Sequence, residues 1–192
     1  MSHLLNQLIT LPNPELRKPS TKVIGVDQTV QKLISDMEGT VIEWEGTRQH
    51  EVGVALAAIQ INVTLKVIVI RNNYNNKEDK TFTVFINPEI TKYEGEKEED
   101  FEGCLSVTDL YGRVPRYNKV RIKAMSPEGH EFKMRAEGFL ARVLQHEVDH
   151  TKGILFIDHI KDSPEAFYKL NEKGSLESIN YEKNIKNSRI LW

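Results

Sequence analysis

Residues 138–151 read GFLARVLQHEVDHT, and this stretch decides the fold. Its apolar side chains recur at spacings of three and four positions: Leu140, Val143, Leu144 and Val148. That spacing places them on one face of an amphipathic helix. We therefore predict a helix over 138–151 that ends near Gly153, because glycine commonly follows the last helical turn.

Short stretches rich in β-branched and apolar residues surround this helix in the sequence. We predict strands at 65–71, 81–86, 120–125, 131–136 and 154–157. Turn-forming residues at 72–80 and 126–129 predict hairpins. A second amphipathic helix is predicted over 29–45, and 164–169 is expected to begin another. The sequence therefore predicts an α+β fold in which short antiparallel β-sheets pack around a central H-E-x-x-H helix.

The chain has 192 residues, of which 39% are hydrophobic and 28% charged, so it can build a real core. We predict one domain over residues 1–192, in which the proline-rich residues 1–28 form an arm without helix. A polar tail at about 174–192 is expected to be peripheral. The formal charge of -2 argues against a general nucleic-acid binder. No stretch is typical of a signal peptide or a membrane span.

His146, Glu147 and His150 form the pattern H-E-x-x-H. Residues four apart share one face of a helix, so both imidazoles can reach one metal ion with the Glu147 carboxylate beside them. A divalent ion lowers the pKa of water toward neutrality, and a neighbouring carboxylate can take that proton and deliver it to a leaving amine. The pattern predicts hydrolysis of an amide-like bond; the alternative is a charged helix surface.

A catalytic metal ion needs a third protein ligand. The position at which one class of metalloproteases carries a third histidine holds Phe156. The downstream glutamates lie in no convincing second helix: Glu165, Glu172 and Glu177. The remaining donor is Cys104, whose thiolate is a strong ligand for Fe²⁺ or Zn²⁺. We predict that Cys104, His146 and His150 bind the metal; a buried apolar cysteine is the alternative.

Residues 53–60 read GVALAAIQ, a small and apolar stretch that ends in an amide. Small residues let a peptide lie against the backbone, and a buried Gln60 could donate its side-chain N–H to a developing oxyanion. The alternative is an ordinary packed turn in which Gln60 satisfies a loop carbonyl.

Three motifs in this order resemble those of the peptide deformylases: G-x-G-x-A-A-x-Q at 53–60, E-G-C-L-S at 102–106 and H-E-x-D-H at 146–150. The second and third match in full. Flanking residues agree at 86–88, 114–116 and 153–156. The resemblance spans about 4–161 and implies removal of the N-formyl group from the initiator methionine of new polypeptides, releasing formate.

The resemblance assigns roles by position. It implies the same three metal ligands, with Glu147 as the general acid and base. Gln60 and the backbone N–H of Leu105 match the pair that stabilises the tetrahedral oxyanion. Glu102 and Arg116 occupy positions that form a supporting ion pair in the family.

The resemblance also places residues around the substrate. Gly53 and Val54 correspond to positions beside the bound peptide, and Leu140 and Val143 to positions that face the methionine pocket. From its place after the second motif, Tyr111 is expected to line the peptide groove.

One residue departs from the family pattern. The third position of the first motif is glycine in the family and Ala55 here. A methyl group at this position crowds the approach of a peptide backbone, so we expect altered substrate affinity or a shifted local backbone. The metal chemistry is expected to remain intact.

The resemblance implies one Fe²⁺ per chain, with Zn²⁺, Ni²⁺ or Co²⁺ as substitutes, whereas donor geometry alone favours Zn²⁺. The implied partners are formyl-methionyl nascent peptides and the ribosome near its exit tunnel, without a membrane or sequence-specific nucleic acid. We expect a monomer. The lone cysteine, Cys104, favours a reducing compartment, so we expect the bacterial cytoplasm, with an organelle as the alternative.

Two other functions could use the same residues. A zinc endoprotease of the H-E-x-x-H type would cleave unformylated proteins internally. A non-enzymatic iron or redox sensor would use Cys104 as a metal-dependent switch and would leave Glu147 without a role. Formate release from a formyl-methionyl peptide distinguishes a deformylase from both.

Overall fold

The computed structural model describes residues 4–189 and 191–192, and its fold is α+β. In chain order, the helices and strands are α1 (Gln28–Gly46), β1 (Ala55–Ala57), β2 (Val67–Arg71), β3 (Phe82–Cys104), β4 (Val107–Met125), β5 (Glu131–Glu137), α2 (Gly138–His150), β6 (Phe167–Leu170), β7 (Leu176–Ser178) and α3 (Tyr181–Asn184). Short 3-10 helices lie at Leu5–Gln7, Pro14–Arg17, Ala58–Ile61, Phe156–His159 and Pro164–Ala166. The prediction of an α+β class with antiparallel strands is confirmed.

The strands form one antiparallel sheet in the order β1-β2-β3-β4-β6-β7, and β5 also pairs with β4. The prediction of short strands is wrong for β3 and β4, which run for 23 and 19 residues. Register shifts interrupt their ladder and let a long pair bend. Asn87 and Gly95 lie at two of these shifts and have positive φ. Such residues are typical of strand ends, which is why the sequence favoured shorter strands.

Two helices cover the sheet. α1 begins where the Asp27 carboxylate accepts the N–H of Val30 at 3.0 Å, close to the predicted start. Its apolar face packs against β1 and β2. α2 spans nearly the predicted range and is buried from Ala141 to its end, packed against β1 to β5. The sheet therefore holds α2 in a place where its polar side chains are surrounded by protein.

The apolar run 154–157 is not a strand, so that prediction is wrong. Its end turns into the 3-10 helix Phe156–His159, where the Asp158 carboxylate accepts the N–H of Leu155 at 2.7 Å. Leu155, Phe156 and Ile157 are apolar because they are buried in the core, and not because they pair with a neighbouring strand. The prediction of a helix from 164 is also wrong beyond one turn. Only the 3-10 helix Pro164–Ala166 forms, and the chain then continues as β6, which pairs with β4.

The two ends of the chain have more structure than the sequence predicted. The arm predicted without helix contains the two 3-10 turns Leu5–Gln7 and Pro14–Arg17; the prediction for Met1 to His3 lies outside the described residues. In the tail, β7 extends the sheet, and Ile185 and Leu191 are buried in an apolar cluster. Within the described residues, no helix is long and apolar enough to cross a membrane.

Candidate active site

α2, the end of β3 and the 3-10 helix Ala58–Ile61 bring the three sequence motifs together. α2 carries both histidines and Glu147, β3 ends with Glu102 and Cys104, and the short helix carries Gln60. The register shift between Gly103 and Cys104 breaks the ladder at the point where the thiol approaches α2. The local irregularity of β3 therefore serves the geometry of the site.

Cys104, His146 and His150 form a group that could hold a metal ion. Their donor atoms lie within 4.8 Å of one another, and Cys104 Sγ is 3.3 Å from His150 Nε2. Thiolate and imidazole ligands at usual zinc distances stand roughly 3.5 Å apart around a tetrahedral ion. The donor set and its spacing thus fit a divalent ion.

The two histidines are held differently. His146 Nδ1 lies 2.9 Å from Glu102 Oε2, which leaves the other ring nitrogen for the side facing Cys104. Burial lowers the pKa of His146, whereas hydrogen bonds with Cys104 and Glu102 raise it. The second effect is larger, so the pKa lies above its usual value. The negative groups that favour a proton here also favour a divalent cation. Burial, with the neighbouring His146, lowers the pKa of His150 and keeps that ring in the neutral form that binds metals.

Glu102 is the centre of a buried ionic network behind His146. Its carboxylate accepts from Arg116 Nε at 2.9 Å and Nη2 at 3.1 Å, and from Arg142 Nη1 at 2.8 Å. Burial raises the pKa of Glu102, but contacts with His146 and Arg116 lower it more, so the group stays ionised. Arg116 Nη1 also donates to Asp149 Oδ2 at 2.5 Å. The network fixes the orientation of the His146 ring.

Glu147 is buried beside this group. Desolvation raises the pKa of its carboxyl to about 7. Its Oε2 atom is buried and has no hydrogen-bond partner among the residues that the structure describes. A buried carboxylate oxygen is costly unless it is used, so this atom is placed to interact with something outside the chain.

The Gln60 side chain has a defined orientation. Its Oε1 accepts the N–H of Ala57 at 2.8 Å, so its NH₂ group must point the other way. Nε2 lies 3.1 Å from Ser106 Oγ and 3.5 Å from Cys104 Sγ. The amide is therefore a fixed N–H donor directed toward Ser106 and Cys104.

A cavity of about 280 Å³ opens at this group. Of the residues predicted to meet the substrate or the oxyanion, it is lined by Gln60, Val54, Leu105, Tyr111 and Val143. Glu147 and two of the three predicted ligands, Cys104 and His146, also line it.

Two predicted substrate residues lie elsewhere. Leu140 lines a second, adjoining cavity of about 260 Å³, which shares Val54, Phe139 and Val143 with the first. Gly53 lies behind the wall: its N–H donates to Glu45 Oε2 at 2.9 Å, and a Cβ there would lie 2.6 Å from a methyl carbon of a neighbouring valine. Its lack of a side chain serves packing against α1.

The sequence reasoning missed one wall of the first cavity, made by the segment after α1. Glu51 lines it and accepts from the Tyr111 hydroxyl at 2.6 Å. Arg48 pairs with Asp109 at 3.1 Å, so the segment is fastened to the start of β4. Burial and the Glu51 carboxylate raise the pKa of Tyr111, which keeps its hydroxyl proton in place. These residues match no motif, and only their position just before Gly53 could have indicated them.

Arg142 was also missed. It is buried, binds Glu102, and donates to the carbonyl of Val114 at 2.7 Å. A signal was present in the sequence, because Arg142 precedes His146 by four positions and so shares its face of α2.

The family model for polypeptide deformylase matches residues 5–165. The chain therefore belongs to the peptide deformylase family. The peptide deformylase of Natranaerobius thermophilus is 39% identical over 158 residues, which cover 82% of this chain and 94% of the relative. That of Aquifex aeolicus is 41% identical over 158 residues, covering 82% and 89%.

Solved structures agree with this assignment. The crystal structure of a peptide deformylase from Legionella pneumophila has a TM-score of 0.70 and 40% identity, covering 79% of this chain and 83% of that chain. A peptide deformylase from Synechococcus elongatus in complex with actinonin has a TM-score of 0.72 and 32% identity, covering 79% and 78%.

Membership settles the reaction. The chain is a hydrolase of protein biosynthesis that removes the N-formyl group from the N-terminal formylmethionine of newly synthesised proteins and releases formate. The endoprotease alternative is not supported. The family is metal-dependent, and this chain has a group of residues that could bind the ion.

Proposed function

We propose that Cys104, His146 and His150 bind one Fe²⁺ and that Glu147 moves the proton of the reaction. The observation that carries this proposal is the convergence of the three donor atoms, within 4.8 Å of one another, beside the cavity that Glu147 lines. Zn²⁺, Ni²⁺ or Co²⁺ would fit the same donors. When bound, a divalent ion would polarise the formyl carbonyl and lower the pKa of the attacking water.

The Glu147 carboxylate has one role at each end of the reaction. Its unpartnered Oε2 takes a proton from the attacking water as the water oxygen bonds to the formyl carbon. The carbon–nitrogen bond then breaks, and the same carboxyl gives the proton to the methionine nitrogen. Formate and a free amino terminus are the products.

We also propose that Gln60 and Leu105 stabilise the negative oxygen that develops on the formyl group. The Gln60 NH₂ group is directed at the ligand group by its bond to Ala57, and Leu105 lines the cavity next to Cys104. Donors that are already oriented need no reorganisation during the reaction. Glu102 and Arg116 support this site through His146.

The second cavity is proposed to accept the methionine side chain. Its lining is largely apolar and includes Leu140 and Val143, and it joins the first cavity through shared residues. Val54 belongs to both cavities, so a peptide backbone beside it could place the formyl group in one cavity and the side chain in the other. Tyr111 would face the residues that follow methionine.

We infer that residues 1–192 act as one catalytic domain centred on α2, whose last ten residues are all buried. We further propose that the chain is a monomer. We also propose that it works in a reducing bacterial cytoplasm, because a thiolate ligand such as Cys104 is sensitive to oxidation. Sedimentation of the purified chain, and loss of formate release on exposure to air, would test these two points.

We propose that the ribosome near its exit tunnel is a partner, and a lysine-lined groove supports this. The groove has a volume of about 620 Å³, and its charged lining is five lysines and two glutamates, an excess of positive charge: Lys22, Lys66, Lys123, Lys133 and Lys152 with Glu89 and Glu131. Val148 also lines it, so it lies on the face of α2 opposite His146 and leaves the first cavity accessible. Co-sedimentation with ribosomes should weaken when Lys66 and Lys133 are replaced by alanine, and unchanged binding would exclude this surface.

The reaction itself is tested with matched peptides. The Fe²⁺-loaded chain, handled without oxygen, should release formate from formyl-Met-Ala-Ser and should leave acetyl-Met-Ala-Ser and unformylated protein intact. Cleavage within an unformylated protein would instead indicate the endoprotease. Metal binding without turnover of any of these would indicate the sensor.

Ala55 gives a second test, because it begins β1 and lines the first cavity. We expect Ala55→Gly to change KM for formyl-Met-Ala-Ser by roughly 2- to 10-fold and to leave kcat unchanged, since the methyl group would meet the peptide in the cavity and is not one of the proposed metal ligands. Steady-state kinetics would measure this, with Ala136→Gly as the control for added backbone freedom, because Ala136 is a similarly buried strand residue of β5 that lines neither cavity. An equal fall of kcat in Ala55→Gly would contradict a purely positional role.

A further inference from the structure

Arg71 ends β2 with a fully buried side chain, 0% exposed. Its Nη1 donates to Glu45 Oε2 at 2.6 Å and to the carbonyl of Gly53 at 3.4 Å. Nε donates to the carbonyl of Asp79 at 2.9 Å, and Nη2 to that of Lys77 at 3.3 Å. One side chain therefore joins the end of α1, the start of the first motif and the hairpin between β2 and β3.

Stability alone is a weak reason for such a residue. A buried ion pair often contributes no more than apolar residues of the same volume would. What the guanidinium adds is direction, because its planar fork fixes several acceptors at once. The backbone around it is held in the same way: the N–H of Arg71 donates to the carbonyl of Val54 at 2.8 Å, and Glu45 accepts the N–H of Gly53.

Arg71 also lines the second cavity, as does Tyr74 of the β2–β3 hairpin. The Tyr74 ring lies against Phe139 at the start of α2, with 4.6 Å between ring centroids. Arg71 binds the Lys77 and Asp79 carbonyls, so its guanidinium holds the same hairpin that carries Tyr74. Val54 also lines this cavity, and the backbone N–H of Arg71 holds its carbonyl.

We propose that Arg71 is a positioning residue that sets the shape of the second cavity and thereby the preference of the enzyme for an unbranched methionine side chain. The proposal rests on the assignment of this cavity to the methionine side chain. Arg71 touches neither the formyl group nor the metal ligands, so its effect is expected in KM and in side-chain selectivity, with kcat unchanged.

The test compares formyl-Met-Ala-Ser with formyl-Leu-Ala-Ser, whose side chain is branched. Arg71→Lys keeps the charge opposite Glu45 but lacks the fork that reaches Lys77 and Asp79. We expect the ratio of kcat/KM between the two peptides to fall about tenfold, the scale of a methyl-sized misfit in an apolar pocket, mainly through a higher KM for the formyl-Met peptide. Metal content should match that of the parent.

The matched control is Arg17→Lys, since Arg17 pairs with Asp158 and donates to the carbonyl of Leu191 at 3.1 Å, outside both cavities. It should keep the parent ratio. Tyr74→Ala leaves the buried pair intact and should lower the ratio by a similar factor, so the proposal stays testable if Arg71→Lys does not fold.

An unchanged ratio in folded Arg71→Lys would overturn the proposal, as would an equal loss of kcat for both peptides. If Arg71→Lys does not fold, an unchanged ratio in Tyr74→Ala would overturn it instead. The assignment of the cavity fails separately. If Leu140→Ala, which alters the second cavity alone, does not change the ratio of the parent, the methionine side chain binds elsewhere. If Leu140→Ala changes the ratio and the Arg71 and Tyr74 variants do not, only the role of Arg71 is excluded.

Discussion

Replacement of Glu147 by glutamine is expected to lower kcat for formate release by about 1,000-fold or more while the protein keeps its metal. The amide side chain would fill the same volume but could neither take a proton from water nor return one to the methionine nitrogen. The measurement is formate release from formyl-Met-Ala-Ser together with elemental analysis of the same sample. KM should change little, because the carboxylate acts on the proton and not on peptide binding.

Stability gives this experiment a second readout. Glu147 Oε2 is buried without a hydrogen-bond partner in the described part of the chain, and desolvation raises the pKa of the group. Glutamine carries no charge that burial would penalise, so Tm of Glu147→Gln should be equal to or above that of the parent. Lost activity together with a lower Tm would point to damage of the fold. The exposed Glu137→Gln, one residue before α2, is the control and should keep full activity.

Full turnover in Glu147→Gln would refute the proton-transfer role. The chain would then have to use another group near the metal ligands, and the buried, unpartnered carboxylate would have no explanation. The ionised Glu102 is a poor substitute, because two arginines and His146 already occupy its oxygens.

Local periodicity predicted what depends on neighbours in the chain. α2 and the hairpin at 126–129 follow from residues within one or two turns, and the structure has both near their predicted bounds. The pattern failed at 154–157, because burial by distant segments makes a 3-10 turn as apolar as a strand. It also failed along β3, where bulges at Asn87 and Gly95 mimic strand ends.

In the site, too, the sequence predicted the features that depend on neighbouring residues and missed those that depend on distant segments. Spacing within α2 placed His146 and His150 on one face, and Arg142 could have been found by the same rule. No spacing rule could indicate that Glu51 and Tyr111 meet across 60 positions, or that Arg71 reaches two hairpin carbonyls. Such contacts depend on how α1 and the hairpins pack on the sheet.

Replacement of Cys104 by alanine is expected to remove the bound metal. The parent, purified without oxygen, should contain about one divalent ion per chain, with iron predominating, and Cys104→Ala should retain less than about a tenth of this. A Cys104 thiolate would be the only negatively charged member of the proposed ligand group, and Cys104 Sγ lies 3.3 Å from His150 Nε2. Two neutral imidazoles alone would bind the ion far more weakly, by at least about 100-fold.

Chelation gives this prediction a readout independent of activity. A ligand that binds only the folded state raises its stability, so EDTA should lower Tm of the parent and leave that of Cys104→Ala unchanged. Glu147→Gln serves as the matched control, because it should lose activity yet keep both the metal and the EDTA response. If Cys104→Ala retains a full equivalent of metal, the ligand set is wrong, and the ion must be held by the histidines with a carboxylate. Glu147 would then be that carboxylate, which the metal content of Glu147→Gln would reveal.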